Sequence, residues 1–550
     1  MEKSKVDLDL LFETSWEVCN KVGGIYTVLS TKAKTLQKLY KDKTVFIGPD
    51  VWTDQNPSPY FKECSTPLSQ WSKNAVLPYG VKVRTGRWEV PGRPLAVLVK
   101  FDSLYAVKDE FYAAMWERYG VDSLHAYGDY DEACAFSRGA AETIKSLCVF
   151  LGLENKKVIA HFDEWTTGMA LLEVKASLPY VGTVFTTHAT SIGRSICSNG
   201  KPLYDYFKGY NGDQMARELN MESKHSLEKT AAHQADCFTT VSELTAVECE
   251  QLLELRPAVV TPNGFEKGFV PAKAKFEEAR KEAREVLLNM ASSLTGIRYP
   301  DDTFIVATSG RPEYRNKGLD MFIDTVRVLD SKQPSRRILA LVLVPSWVKE
   351  PRTDLTAALA RKRKSRLDDP VITHILNNPG EDKILGHIHR ENFGNTASSK
   401  VSLIFVPCLL DGSDGILGKT YYQLLAGLDA TLFPSYYEPW GYTPLESVAF
   451  GVPTVTTNLS GFGQWIMMES EPSFNISGVE IVNRTDSNYR EAVESLAGKV
   501  ETLVSADTTL KSRISKASMA TAEKAAWQYF ITYYIDAYSI ALDKVRSRTL

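Results

Sequence analysis

The chain has 550 residues, of which 44% are hydrophobic, 24% charged and 11% aromatic, with a formal net charge of −3. It is too long for one comfortable core, because single cores stop growing near roughly 250–300 residues, so two domains are expected. The near-neutral balance gives no reason to expect nucleic acid or an anionic membrane as a partner, the opening Met1–Asp7 lacks an apolar signal region, and no uncharged apolar stretch reaches the length of about 18 residues that a spanning helix needs.

Along the chain, short β-branched runs at 44–48, 95–99, 157–160, 181–186 and 237–241 read as strands. Apolar runs without polar alternation suit parallel strands covered on both faces. A polar, helical insertion is expected from Lys201 to about Leu227, and a charged helical pattern at 273–290 marks the domain junction. A second series of strands follows at 303–307, 338–344, 401–406, 430–433 and 452–455. Between them, 345–399 reads as a charged insertion, helical over 354–367, with Arg361-Lys362-Arg363-Lys364 on a solvated helix face. A final helix is expected over 522–545. Strands alternating with helices in two series predict two doubly wound α/β domains. Eight scattered cysteines form neither a zinc nor a disulfide framework, which points to a reduced, cytoplasmic protein.

The sharpest chemical signal is Phe433-Pro434-Ser435-Tyr436-Tyr437-Glu438-Pro439-Trp440-Gly441-Tyr442-Thr443-Pro444-Leu445-Glu446. A strand ends at Phe433, a Pro/Gly-rich loop follows, and a helix opens with proline in its first turn. Free N–H groups at such a helix start can hold a phosphate. Glu438 and Glu446 lie eight positions apart and occupy different places, one in the loop and one on the helix. On residue grounds alone, Glu446 could equally complement the helix dipole and Glu438 could be a surface charge.

The paired glutamates in this setting resemble the signature of retaining GT-B glycosyltransferases. Together with Thr456-Thr457-Asn458-Leu459-Ser460-Gly461-Phe462-Gly463, the wording is similar to glycogen synthases of the eukaryotic type, glycosyltransferase family 3. The likeness runs from Glu17 to beyond Trp527 and includes several further motifs in the family's order. It implies a GT-B fold in which two Rossmann-like domains face a deep cleft: residues 1–270 on the acceptor side with a glycine loop, residues 271–520 with the donor site, and a C-terminal helix at 521–550 packing back on the first domain.

The resemblance also implies roles. Asn20-Lys21-Val22-Gly23-Gly24 would bring Lys21, Gly23 and Gly24 to the donor's diphosphate, although a double glycine alone is more often just a turn. Thr187-His188-Ala189-Thr190-Ser191-Ile192-Gly193-Arg194 sits at a strand's carboxyl end, where open α/β sheets bind ligands. His188 and Arg194 are there assigned to the donor sugar and its phosphates. Arg311 and Lys317, six positions apart, would neutralise the departing nucleotide diphosphate. Tyr421, 17 positions before Glu438, would stack on the base. Glu446 would bind the ribose, Trp440, Gly441 and Thr443 would line the pocket, and Glu438 would favour positive charge at the anomeric carbon. Asn263 would touch the sugar, or serve only as a turn residue.

Two departures stand out. Asp163 in His161-Phe162-Asp163-Glu164-Trp165 replaces the family's second histidine, and an aspartate cannot donate as a neutral imidazole does. The arginine-rich helix that binds glucose 6-phosphate in the family is represented here by Lys511, Arg513 and Lys516, and Asp429 stands where the family has a phosphate-site histidine. With almost no chain before Leu10 and little after the final helix, the resemblance implies an unregulated, bacterial member. The expected activity is retaining transfer of glucose from UDP-glucose to the non-reducing end of glycogen or a maltooligosaccharide, without cofactor or metal, in the cytoplasm, by a chain able to form a homo-oligomer. The alternatives are a GT-B glucosyltransferase using ADP-glucose or another acceptor, and an inactive relative that binds glucan or nucleotide.

Overall fold

The computed structural model describes residues 6–53 and 55–549; most of the opening segment read above, Met1 to Lys5, lies outside the described residues. The chain forms two compact units, Met1–Glu266 with Ala526–Leu550, and Lys267–Ala525.

The first unit is built on nine strands: β1 (Leu10–Thr14), β2 (Thr44–Pro49), β3 (Phe61–Glu63), β4 (Lys82–Trp88), β5 (Leu95–Lys100), β6 (Val158–Asp163), β7 (Val181–Thr187), β8 (Cys237–Thr240) and β9 (Val259–Val260). Their order is β3-β4-β5-β2-β1-β6-β7-β8-β9. Pairing is parallel except where β4 meets β3 and β5. β1, β2, β6 and β7 are buried at every residue, as the unbroken apolar runs require for strands covered on both faces. The order in which successive strands are added reverses between the parallel neighbours β1 and β6. Such a switch point leaves a crevice at the carboxyl ends of the two flanking strands.

The last helix, Trp527–Thr549, returns to this sheet and packs on β6, β7 and β8. It starts later than the expected 522, because Ala526 forms a bridge with Phe265 and interrupts the helical path. Trp527 is buried, its indole N–H donates to the Thr31 hydroxyl at 2.7 Å, and a side chain on Gly264 would collide with its ring. Tyr538 donates to Glu13 Oε1 at 2.8 Å, while Lys32 Nζ lies 3.0 Å from Glu13 Oε2, both side chains fully buried. Burial opposes ionisation of Glu13, but Lys32 and His161 outweigh it and hold the carboxyl down at about 2.

The second unit carries β10 (Phe304–Ser309), β11 (Ile338–Leu343), β12 (Val348–Pro351), β13 (His374–Leu376), β14 (Val401–Val406), β15 (Ala430–Leu432), β16 (Thr454–Thr457) and β17 (Val479–Val482). Its main sheet is wholly parallel in the order β14-β11-β10-β15-β16-β17, with the switch point between β10 and β15. The insertion at 345–399 differs from expectation. It holds the antiparallel pair β12–β13, the helix expected over 354–367 covers only Thr353–Leu359, and a second helix spans Lys383–Arg390. Lys364 Nζ donates to the carbonyls of Ala358 and Leu359, and the buried Arg352 guanidinium donates to those of Asp368, Asp369 and Ile372. Lys364 takes carbonyls at the helix end, Arg352 takes those of the loop beyond, and the basic run becomes loop instead of helix face.

Candidate active site

In the second unit, two loops meet at the carboxyl ends of β10 and β15. The first, after Ser309, needs Gly310 at φ +133° and Gly318 at φ +68°, a region that side chains rarely enter. A side chain on Gly318 would also run into the Pro434 carbonyl. The second loop is sewn to the first by Asn316, whose carbonyl accepts from the N–H groups of Tyr436 (2.9 Å) and Tyr437 (3.1 Å). On its other side the carbonyls of Glu438 and Trp440 accept from Gly461 (3.0 Å) and Phe462 (2.7 Å). This fixed backbone places Lys317 Nζ 2.6 Å from Glu438 Oε2, with both side chains largely buried. The pair is therefore a strong, poorly hydrated charge-assisted contact. Arg311 is not part of it: half-exposed, it pairs with Glu313 at 2.8 Å.

The helix after this loop begins at Tyr442, two residues before Pro444, with Gly441 at φ +112° in front of it. A side chain on Gly441 would press on Pro444, Ser460 and Glu438, and Trp440 is buried against Phe462 and Trp465. Thr443 is half-buried in the first turn. Glu446 is buried, and the Tyr422 hydroxyl donates to its Oε1 at 2.7 Å. Tyr422 stacks on Phe450 with ring centroids 5.6 Å apart, and burial, then Glu446, push its hydroxyl pKa far up. Tyr421 begins the short helix Tyr421–Leu425 and accepts from the Ser309 hydroxyl at 2.9 Å, which ties it to the end of β10. The sequence alone gives Asn316, Tyr422 and Ser309 no role, although Ser309 and Asn316 belong to the motif that carries Arg311 and Lys317.

Tyr436 is gripped between two guanidiniums, Arg315 at 4.6 Å and Arg484 at 5.3 Å from its ring centre, and its hydroxyl donates to Asp486. Arg484 is itself buried and donates to the Pro434 carbonyl. The loop that carries Glu438 is thus braced from beneath by cation–π contacts.

In the first unit the corresponding edge gathers the loop after β1, the end of β6 and the segment after β7. Gly23 and Gly24 open the helix Gly24–Tyr40. The free N–H groups of that helix start are partly taken: Glu17 Oε2 accepts from Gly23 (2.6 Å) and Tyr26 (2.9 Å). Among the described residues, nothing beyond its chain neighbours and its own helix backbone stands within 4 Å of where a Gly24 side chain would be, and Lys21 is exposed, its ammonium 5.8 Å from the Tyr26 ring centre. Asp163 ends β6, and its Oδ1 lies 2.8 Å from His188 Nε2, with both residues buried. The carboxylate accepts from the ring, which places a proton on Nε2; Asp163 Oδ2 is buried without a hydrogen-bond partner among the described residues. Arg194 stands half-buried on the helix Ser191–Ser198. Asn263 is buried, and its Oδ1 finds no partner among the described residues.

A family model for glycogen synthase matches residues 13–350 and 347–549. The chain belongs to the glycogen synthase family. It is 31% identical to the liver glycogen [starch] synthase of Homo sapiens, over 88% of this chain and 76% of that one. The glycogen [starch] synthase of Neurospora crassa is 30% identical, over 90% of this chain and 78% of its own length. Among solved structures, the catalytic domain of starch synthase IV from Arabidopsis thaliana, bound to ADP and acarbose, matches with a TM-score of 0.61 at 14% identity, covering 98% of this chain and 99% of that one. A sucrose-phosphate synthase from Thermosynechococcus elongatus gives 0.54 at 14% identity, over 98% of both chains. These likenesses show the fold of this family member, a GT-B glycosyltransferase fold. Among the described residues no helix is long and apolar enough to cross a membrane.

Proposed function

We propose that the protein is a retaining glucosyltransferase that moves glucose from UDP-glucose to the non-reducing end of an α-1,4-glucan. The observation that carries this reading is the buried Lys317–Glu438 pair at the switch point of the second sheet, in a chain that belongs to the glycogen synthase family. In transfer, the bond from the anomeric carbon to the diphosphate oxygen breaks, and negative charge grows on the departing UDP. Lys317 and Arg311 are the cations that stabilise it as it develops. Glu438 favours the positive charge at the anomeric carbon. The acceptor hydroxyl attacks from the face that UDP leaves, giving up its proton to the departing phosphate, so the α-configuration is kept.

The other residues divide between nucleotide and sugar. Glu446, oriented by Tyr422, takes the ribose hydroxyls, and Tyr421 stacks on the base. Trp440, Gly441 and Thr443 line the pocket. His188, Asn263 and Arg194 serve the sugar and its phosphates, with Lys21, Gly23 and Gly24 beside the diphosphate. Asp163 keeps the His188 proton on Nε2 and leaves Nδ1 to meet a sugar hydroxyl. Insensitivity to glucose 6-phosphate is supported by Asp429, which receives both Arg280 (2.6 Å) and Arg284 (2.9 Å).

The test is release of nucleotide diphosphate from UDP-glucose and from ADP-glucose, with and without glycogen, without added metal. Acceptor-dependent release from UDP-glucose, unchanged by glucose 6-phosphate and giving an α-linked product by NMR, is expected. Release from ADP-glucose alone would move the protein to that donor. Binding of nucleotide without release from either would overturn transfer altogether.

A further inference from the structure

The segment Thr187 to Arg194 carries both His188 and Arg194, and its backbone is held in an unusual way. Glu164, just after β6, accepts from the N–H of His188 (2.9 Å) and of Ala189 (3.3 Å). Glu248, on the helix Glu243–Leu252, accepts from the N–H of Thr190 (3.3 Å) and from the Thr190 hydroxyl. Glu228, on the helix Glu222–Gln234, accepts from the N–H of Ser191 (2.8 Å), the Ser191 hydroxyl (2.7 Å) and the Thr187 hydroxyl (3.1 Å). Four consecutive N–H groups therefore end on side-chain carboxylates from three other elements. Glu228 and Glu248 are buried. Lying just beyond the end of β7, these donors would otherwise be buried without partners, which is costly.

Carboxylates crowded into one buried region cannot all ionise cheaply. Burial, and then Glu164, push Glu228 up to about 8. Burial also raises Glu164, against the opposing pull of His188 and Arg194. From its own helix, Glu248 faces them together with Cys249, whose thiol is raised in turn by burial, Glu248, Glu228 and Glu164. Lys229, next to Glu228 in the chain, is turned to Asp213 and Glu254 at 2.9 and 2.8 Å.

We propose that Glu228, with Glu164 and Glu248, is a positioning residue for the donor: the three carboxylates set the backbone path that aims His188 and Arg194. Glu228 acts in its neutral form, with Ser191 donating to one carboxyl oxygen and the Thr187 hydroxyl donating to the other. Its ionisation brings a second negative charge beside Glu164 and loosens the segment. The proposal rests on the reading of His188 and Arg194 as donor-facing groups.

Two measurements on the full chain test it, each across pH 6.5 to 9.5, on the wild type and on Glu228→Gln, which is uncharged and nearly isosteric. The first is donor KM and kcat. In the wild type, KM rises about tenfold between pH 7 and pH 9.5 while kcat changes less, as expected if ionisation weakens donor placement; in Glu228→Gln the rise is absent. The second is backbone amide exchange at 188–191, which needs no transfer. In the wild type it accelerates beyond the intrinsic effect of pH, and in Glu228→Gln it does not. Identical alkaline limbs in the two proteins, or exchange at 188–191 indifferent to Glu228, would overturn the proposal. If exchange behaves as expected but no donor is turned over, the positioning of the segment stands and the functional reading falls.

Discussion

The strand-end clusters of the two units rest on the same sheet plan yet handle charge in opposite ways. In the first unit, acids do the holding: Glu17 grips the start of the glycine-loop helix, and Glu164, Glu228 and Glu248 grip the segment that carries His188. In the second, cations do it: Lys317 grips Glu438, and Arg315 and Arg484 clasp the tyrosine beneath. The difference teaches that the crevice of a doubly wound sheet supplies only the place. The sign of the groups that stiffen it is chosen locally, by what each loop has to expose.

Breaking the second cluster has the largest expected effect. Glu438→Ala or Lys317→Ala lowers kcat/KM for glucosyl transfer by about 10²–10⁴-fold, and the double variant is no worse than the worse single one, since the two act as a unit. Steady-state assays of nucleotide diphosphate release check this. In the first unit, Lys32→Met removes the buried cation that balances Glu13 and costs about 3–5 kcal/mol in urea unfolding. Glu13 has a pKa of about 2 when folded against an ordinary 4.5, so its contribution is present above about pH 4.5 and is lost as the pH falls toward 2. In the Lys32→Met variant this acid limb is flattened, a difference that melting curves from pH 2 to 6 report.

A smaller and more specific effect is expected at Asp163. Asp163→Ala lowers kcat/KM by about 10–100-fold with little change in melting temperature, and ¹⁵N NMR of the His188 ring shows mixed tautomers in place of a single Nε2–H form. A drop in activity with the tautomer unchanged would break the link between the two residues. The glycines complete the series. Gly318→Ala meets both positive φ and the Pro434 carbonyl, and costs about 2–4 kcal/mol in denaturant. Gly24→Ala meets nothing and changes stability by no more than about 0.5 kcal/mol, while donor KM rises if this backbone faces the diphosphate.

Much of this was legible from residues alone. Most of the buried strands show themselves as unbroken apolar runs, and Glu438, Lys317 and Glu446 are marked by motif. The short β1 escaped notice, as did β4, where polar and apolar residues mix because it lies near the antiparallel edge of its sheet. The basic run at 361–364 is loop and not helix face, and nothing in its local pattern reveals that Lys364 takes the carbonyls of the last helical turn.

The sequence by itself determined the two series of strands, the family and the identity of most groups at the strand ends, since periodicity and motif are local properties of the chain. Only the tertiary structure decided which of those groups are paired. It set Glu438 on Lys317 but Arg311 on Glu313, turned Asp163 toward His188, and gave four consecutive N–H groups to three distant glutamates. Hydrogen bonds and ion pairs join residues that the chain keeps far apart, and burial, which sets their strength, belongs to the folded molecule alone.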